Sequence, residues 1–222
     1  MDVVIAGGHG KIALRLGELL AKRGDRVRGL IRNPDHGDDL RVRGMEPVVV
    51  DLEQAAVDAV AAAVAGADAV VFAAGAGPGS GAARKVTMDL GGAVLLLDAA
   101  REAGVPRYVI VSSMGADAGA PDDGAFGSYL RAKGMADDAV RASDRAWTVV
   151  RPGGLTDAPG TGRVAVGPAL PRGSVTRDDV AVVLVEVLDE PGTAGVTVDV
   201  TEGTTPVTVA FRGLATTWGD RS

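Results

Sequence analysis

The run Val3-Val4-Ile5-Ala6-Gly7-Gly8-His9-Gly10-Lys11-Ile12-Ala13 constrains this chain more than any other part of it. Val3–Ala6 is short, apolar and mostly β-branched, which reads as a strand buried on both faces. Glycines follow at once. Lys11–Arg23 then reads as an amphipathic helix, with Ile12, Leu16, Leu19 and Leu20 on one face and Gly24 as its stop. A strand that turns on glycine into a helix offers free N–H groups and the positive end of the helix dipole, the setting in which a pyrophosphate binds. Gly7 permits the tight turn, Gly10 lets the backbone approach a phosphate, and Ala13 is small enough for close helix–strand packing. The loop Gly7, Gly8, His9, Gly10, Lys11 and Ile12 is therefore expected to contact a dinucleotide. The bland alternative is a plain structural turn.

The same alternation continues along the chain. Strands are expected at Val27–Ile31, Val48–Val50, Ala69–Ala73, Arg107–Ser112, Trp147–Val150 and Val196–Val200. Helices are expected at Asp38–Arg43, Gln54–Ala65, Ala82–Ala103, Tyr129–Ala142 and Arg177–Leu188. Seven strands separated by helices predict an α/β fold, a parallel sheet covered on both faces. The Gly/Pro-rich stretches 75–81, 115–127 and 152–173 read as loops at the C-terminal edge of that sheet, where doubly wound folds bind ligands. No linker or repeat divides the 222 residues, so one domain is expected, with little left for a separate substrate domain.

Composition removes several classes of function. The chain has no cysteine, which excludes disulfide scaffolds, thiolate catalysis and cysteine-ligated metals. Two histidines leave little for a metal site, and none is expected. A net charge of −6 with only 3% aromatic residues argues against a nucleic-acid partner. Met1–Ala6 is too short and too poor in basic residues for a signal, and Ala93–Leu97 is far shorter than the ~20 residues of a membrane helix. The expectation is a soluble, cytoplasmic monomer or homodimer that acts on a small molecule.

The end of the second expected strand reads Leu30-Ile31-Arg32-Asn33-Pro34. An arginine there can accept a 2′-phosphate, whereas an acidic residue would bind the 2′-hydroxyl of NAD. Arg32 thus favours NADP(H) over NAD(H), unless it is one more solvated arginine in a chain that has many. Asp51 and Leu52 follow the third strand and could meet the adenine; Asp51 could equally cap the helix expected near Gln54.

Tyr129-Leu130-Arg131-Ala132-Lys133 puts a phenol and an ammonium four residues apart on one helix face. An ammonium beside a phenol favours the phenolate and so eases transfer of its proton to or from a carbonyl or alcohol. Ser112 and Ser113, at the end of the fifth strand, could hydrogen-bond the reacting oxygen or simply cap backbone groups. Lys85 reads as a surface lysine that could instead face the pocket. Phe126, Phe211 and Trp218 could form an aromatic wall, although packing is the commoner use of such residues.

These motifs together resemble an atypical short-chain dehydrogenase/reductase, of the NAD(P)H-binding group related to biliverdin reductase B and the NmrA-like proteins. The resemblance spans nearly the whole chain and includes Arg32-Asn33-Pro34, Ala73-Ala74-Gly75, Asp89-Leu90-Gly91-Gly92, Arg151-Pro152-Gly153-Gly154 and Thr176-Arg177-Asp178-Asp179. It implies a Rossmann-like doubly wound sheet of order 3-2-1-4-5-6-7. It implies that Gly7, Gly10 and Lys11 serve the pyrophosphate, Arg32 the 2′-phosphate, and Ala73, Ala74 and Gly75 the adenosine and ribose side. Pro152 and Gly153 would border the nicotinamide, and the segments 115–127, 152–173 and 203–222 the substrate. Ser112 or Ser113, Tyr129 and Lys133 would form the reaction centre, with Lys133 also holding the ribose. Asp89 stands where the group often has Asn. The implied activity is NADPH-dependent reduction of a small carbonyl, quinone or flavin-like substrate. An NADP(H)-binding redox sensor and a cofactor-retaining sugar epimerase remain the rival readings.

Overall fold

The computed structural model describes residues 1–77, 79–121 and 124–212, with Ala82 described for its backbone alone. Strand β1 (Asp2–Ala6) lies between two parallel neighbours, β2 (Arg26–Ile31) and β4 (Ala69–Phe72), with Ile5 opposite Gly29 on one side and Val71 on the other. Val3 and Ile5 enter one core and Val4 and Ala6 the other, so every side chain from Val3 to Ala6 is fully buried. A strand paired on both edges and covered on both faces can only be a continuous apolar run.

The rest of the main sheet grows outward from β1. It contains β3 (Glu46–Val49), β5 (Arg107–Val111), β6 (Ala146–Pro152), β8 (Arg163–Gly167), β10 (Val196–Glu202) and β11 (Thr205–Pro206). The order is β11-β8-β10-β6-β5-β4-β1-β2-β3. The seven expected strands therefore occur in the expected order, with β10 as the seventh, in one α/β domain. On one face lie α1 (Lys11–Lys22), α2 (Gly37–Arg41), α7 (Arg177–Asp189) and α8 (Val207–Ala210). On the other lie α3 (Val57–Val64), α5 (Ala93–Glu102) and α6 (Ala125–Arg141). From β1 the chain steps outward to β2 and β3 and then crosses back to β4 on the other side of β1, so the crevice of a doubly wound sheet opens at the end of β1.

Several expectations need correction. The stretch 152–173 is not only loop: it holds β7 (Gly154–Thr156) and β8. The first pairs in parallel with β9 (Ser174–Thr176) in a separate small sheet, and the second runs antiparallel to β10 and β11. These strands are short and sit among Gly and Pro, which hides the Val164/Val166 alternation. The helix expected over Ala82–Ala103 is three pieces: a short α4 (Ala82–Arg84), a π-helical segment Lys85–Gly92, and α5. The wider winding leaves both Met88 and Asp89 buried, where the segment packs against α6. The helix expected from Gln54 starts only at Val57, because Asp51 closes a turn through Glu53 N and Gln54 N. Helix α6 starts at Ala125, which shortens the expected loop 115–127. Leu19, expected on the buried face of α1, is exposed beside α7, because Ile12, Leu16 and Leu20 already point at the sheet.

Helix α6 is locked to the preceding loop at Gly134. A Cβ there would lie 2.2 Å from Ala118 N and from Asp117 C, both backbone atoms. Gly134→Ala is therefore expected to destabilise the protein by about 1–3 kcal/mol through overpacking. Urea denaturation checks this; a change within experimental error would mean that the loop is not pinned to the helix.

Candidate functional site

At the end of β1 the backbone turns at Gly7 with φ +78°, a conformation that favours glycine. A Cβ at Gly7 would also lie 2.7 Å from Ala74 Cα and 2.8 Å from its Cβ, so the turn packs directly on the chain just past β4 with no room for a side chain at position 7. Gly10 N donates to Gly7 O at 2.8 Å and Gly8 N to Leu30 O at 2.8 Å, which fixes the loop. Gly10 precedes α1 without capping it by a side chain, so the first-turn N–H groups are left for a ligand. This cradle fits a pyrophosphate.

A cavity of about 290 Å³ opens beside the turn. Gly7, His9 and Gly10 form one wall, Arg32 at the end of β2 and Asp51 and Leu52 after β3 form another, and Ala73, Ala74 and Gly75 close it. Asp51 lines the cavity, and its carboxylate accepts from Glu53 N in a turn instead of capping the helix, whose N-cap is Ala56. His9 stacks on His36 with ring centroids 3.7 Å apart and hydrogen-bonds Asp39 at 2.7 Å. That bond holds the Asp39 carboxyl below its ordinary value.

Arg32 is not free. Its Nη1 donates to Glu53 Oε2 at 3.2 Å, and Arg84 donates to the same oxygen through Nε at 3.2 Å and Nη2 at 3.1 Å. Thr87 Oγ1 donates to Glu53 Oε1 at 2.7 Å. Burial favours the neutral form of Glu53, but the Thr87 and Arg84 hydrogen bonds and the charges of Arg84 and Arg32 hold its carboxyl below the usual value.

A second cavity, of about 640 Å³, shares Ala73, Ala74 and Gly75 with the first. Ile12, Ser112, Tyr129 and Lys133 all line it. Helix α6 places Tyr129, Lys133 and Asp137 at four-residue intervals. Lys133 Nζ donates to Val111 O at 3.1 Å and lies 3.3 Å from Asp89 Oδ1. Both side chains are almost fully buried. Asp89 Oδ2 accepts from Ala76 N at 3.2 Å, while its Oδ1 has no hydrogen-bond partner among the described residues. An ammonium on the cavity wall with an N–H left over suits a hydroxyl of a ribose.

Tyr129 is half-buried. Phe126 stacks on its ring at 6.2 Å, and Lys85 Nζ sits 5.3 Å from the ring centroid. Lys85, read above as a surface lysine, instead lines the cavity and donates to Gly77 O at 3.0 Å, because the π-helical segment starts beside that loop. Ser112 Oγ donates to Asp137 Oδ2 at 2.9 Å, and Arg151 grips the same oxygen through Nε at 2.9 Å and Nη2 at 2.8 Å. Burial pushes the Asp137 carboxyl up from its ordinary value, against the pull of Arg151 and of the Ser112 hydrogen bond.

Other expected site residues lie elsewhere. Ser113 bonds Met114 O and is absent from both walls. Lys11 reaches Asp157 at 2.6 Å instead of curling over the turn. Gly8 is packed against Gly29, and Pro152 and Gly153 are held in and after β6 by β10; none of the three borders either cavity. Phe211 is in the core, Phe126 is exposed at the second cavity, and Trp218 lies outside the described residues, as does much of the segment 203–222. The residues missed are Glu53, Arg84, His36 and Asp137. Only Asp137 left a readable signal, its helical spacing from Tyr129 and Lys133.

A family model described as NAD(P)H-binding matches residues 7–191. The chain belongs to this NAD(P)H-binding family. It is 37% identical over 215 residues to "Uncharacterized sugar epimerase YhfK" of Bacillus subtilis, covering 96% of this chain and 100% of that one. A Bacillus halodurans structure, provisionally described as an NAD-dependent epimerase/dehydratase, matches with a TM-score of 0.89 and 38% identity over 96% of this chain and all of its own. ChuY, an anaerobilin reductase from Escherichia coli O157:H7, matches with a TM-score of 0.77 and 25% identity, over 91% of this chain and 97% of its own. The family is thus oxidoreductase- and epimerase-like, and the resemblance to short-chain dehydrogenase/reductases holds.

The Lys133–Asp89 pair makes a stability prediction. Lys133→Met strands a buried carboxylate and is expected to cost about 3–5 kcal/mol. Adding Asp89→Leu should recover most of that loss, because a buried ion pair can often be replaced by apolar groups. Chemical denaturation of the two variants checks the pair; equal stability of both would show that the charges are not coupled.

Proposed function

We propose that the protein is an NADPH-dependent reductase of a small, flat carbonyl, quinone or flavin-like substrate. The observation that carries this reading is the meeting of Tyr129, Ser112 and Lys133 on one largely apolar cavity that shares a wall with the nucleotide cleft. Bound NADPH would supply the hydride. The chain supplies placement and the proton. Glycines 7 and 10 and the start of α1 hold the pyrophosphate, Arg32 the 2′-phosphate, and Lys133 with Asp89 the nicotinamide ribose. Phe126 and Tyr129 offer ring faces on which a planar substrate stacks. Ser112 has committed its O–H to Asp137, so its oxygen faces the cavity as an acceptor and positions a hydroxyl. Tyr129 is then the group that delivers the proton. The substrate-side role of 115–127, 152–173 and 203–222 belongs to this proposal, with a cytoplasmic monomer or homodimer as its setting. Among the described residues no helix is long and apolar enough to cross a membrane.

The epimerase names of the Bacillus relatives favour a second reading, a cofactor-retaining sugar epimerase. Nucleotide that stays bound through purification would support it. A redox sensor would use the same cleft without turnover.

Tyr129→Phe separates these readings. On a panel of quinones, flavins and small carbonyls, the variant is expected to lose NADPH oxidation by about 100-fold or more while NADPH affinity stays unchanged. Tight NADPH binding with no oxidation on any panel member would turn the assignment toward the sensor. NADP+ and NAD+ affinities measured side by side should favour NADP+.

A further inference from the structure

We propose that Arg84 is a second anchor for the 2′-phosphate of NADP(H), held beside Arg32 by Glu53. The inference rests on the NADPH reading above. Arg32 and Arg84 come from distant parts of the chain, one at the end of β2 and the other at the end of α4, yet both line the same cavity. Two guanidiniums so placed would repel each other. One carboxylate oxygen, Glu53 Oε2, accepts from both, and its partner oxygen is fixed by Thr87. Glu53 is not itself on the cavity wall. It backs the two arginines and leaves their net charge at plus one.

The donor count points the same way. A guanidinium has five N–H groups. Arg84 spends three of them, two on Glu53 and one on Ala76 O at 3.1 Å. Arg32 spends one. Several N–H groups on two planar forks therefore have no partner among the described residues. A phosphate monoester carries the charge and the three acceptor oxygens to use them, whereas a ribose diol has neither the charge nor enough acceptors. Asp51, the carboxylate that does line this cavity, accepts from Glu53 N through Oδ1. The arrangement is built for an anion at the adenosine end of the cleft, distinct from the pyrophosphate cradle at the turn.

Calorimetric titration of the full chain with NADP+ and with NAD+ tests this. Arg84→Gln is expected to weaken NADP+ about tenfold or more, the scale of a lost charge-assisted hydrogen bond, while NAD+ stays within about twofold. Arg84→Lys keeps the charge without the fork and should fall between the two. Retained NAD+ binding certifies that each variant is folded. A wild-type preference for NADP+ that Arg84→Gln leaves unchanged would overturn this inference alone. Equal weakening of both nucleotides would also overturn it, since that marks adenine stacking or a structural role. A wild-type preference for NAD+ would overturn this inference and the NADPH assignment together.

Discussion

The close packing of Gly7 on Ala74 is the constraint on which the site depends. No side chain at position 7 fits between the turn after β1 and the residues that follow β4. The two strands are hydrogen-bonded neighbours in register, so their ends must arrive together. Because they do, the residues that follow β4, from Ala73 to Gly75, serve as wall to both cavities. A ligand lying along that wall has one end at the glycine turn and the Arg32 side, and the other beneath Tyr129. The fold positions a long, two-ended ligand before any polar side chain is considered.

The polar groups of the second cavity are governed by burial. Lys133 and Asp89 neutralise each other, and Ser112 and Arg151 converge on Asp137. In a low-dielectric interior a charge without a partner is costly, so these groups are anchored to one another. That anchoring explains a difference from the simple picture of a lysine tuning its neighbouring tyrosine. Lys133 is drawn inward to Asp89 and to Val111 O, and the cation that lies over the Tyr129 ring is Lys85. The helix delivers the expected spacing, but the requirement for a counter-charge decides where the ammonium goes.

Local pattern was legible and long-range pairing was not. The glycine turn, the parallel strands and the α6 face could be read because strand, turn and helix periodicities act within a few residues. Strand β8 was lost in a Gly- and Pro-rich background, since five residues of alternation are too few to stand out there. The sequence leaves Lys85 open between surface and pocket because its setting depends on a π-helical segment whose register no periodicity announces. Glu53 and Arg84 are 31 residues apart and meet only after β4 and its following loop have been placed. Pro152 and Gly153, which the resemblance sets beside the nicotinamide, pair with β10, a contact distant in sequence that no local pattern announces.

The π-helical segment Lys85–Gly92 ties the site to the number of residues as well as to their kinds. Each residue of an α-helix advances by about 100°. In the wider π-helical winding each residue advances by less than this, so the segment holds one residue more than an α-helix would over the same turns. A single deletion would let ordinary winding resume with the flanking helices nearly in phase, but it would change which residues inside the segment share a face. Asp89 and Lys85 would then no longer both face α6 and the cavity, although neither had been changed. Along this stretch a gap in an alignment carries as much information as a substitution. A relative one residue shorter here would present a different side chain to the helix that carries Tyr129 and Lys133.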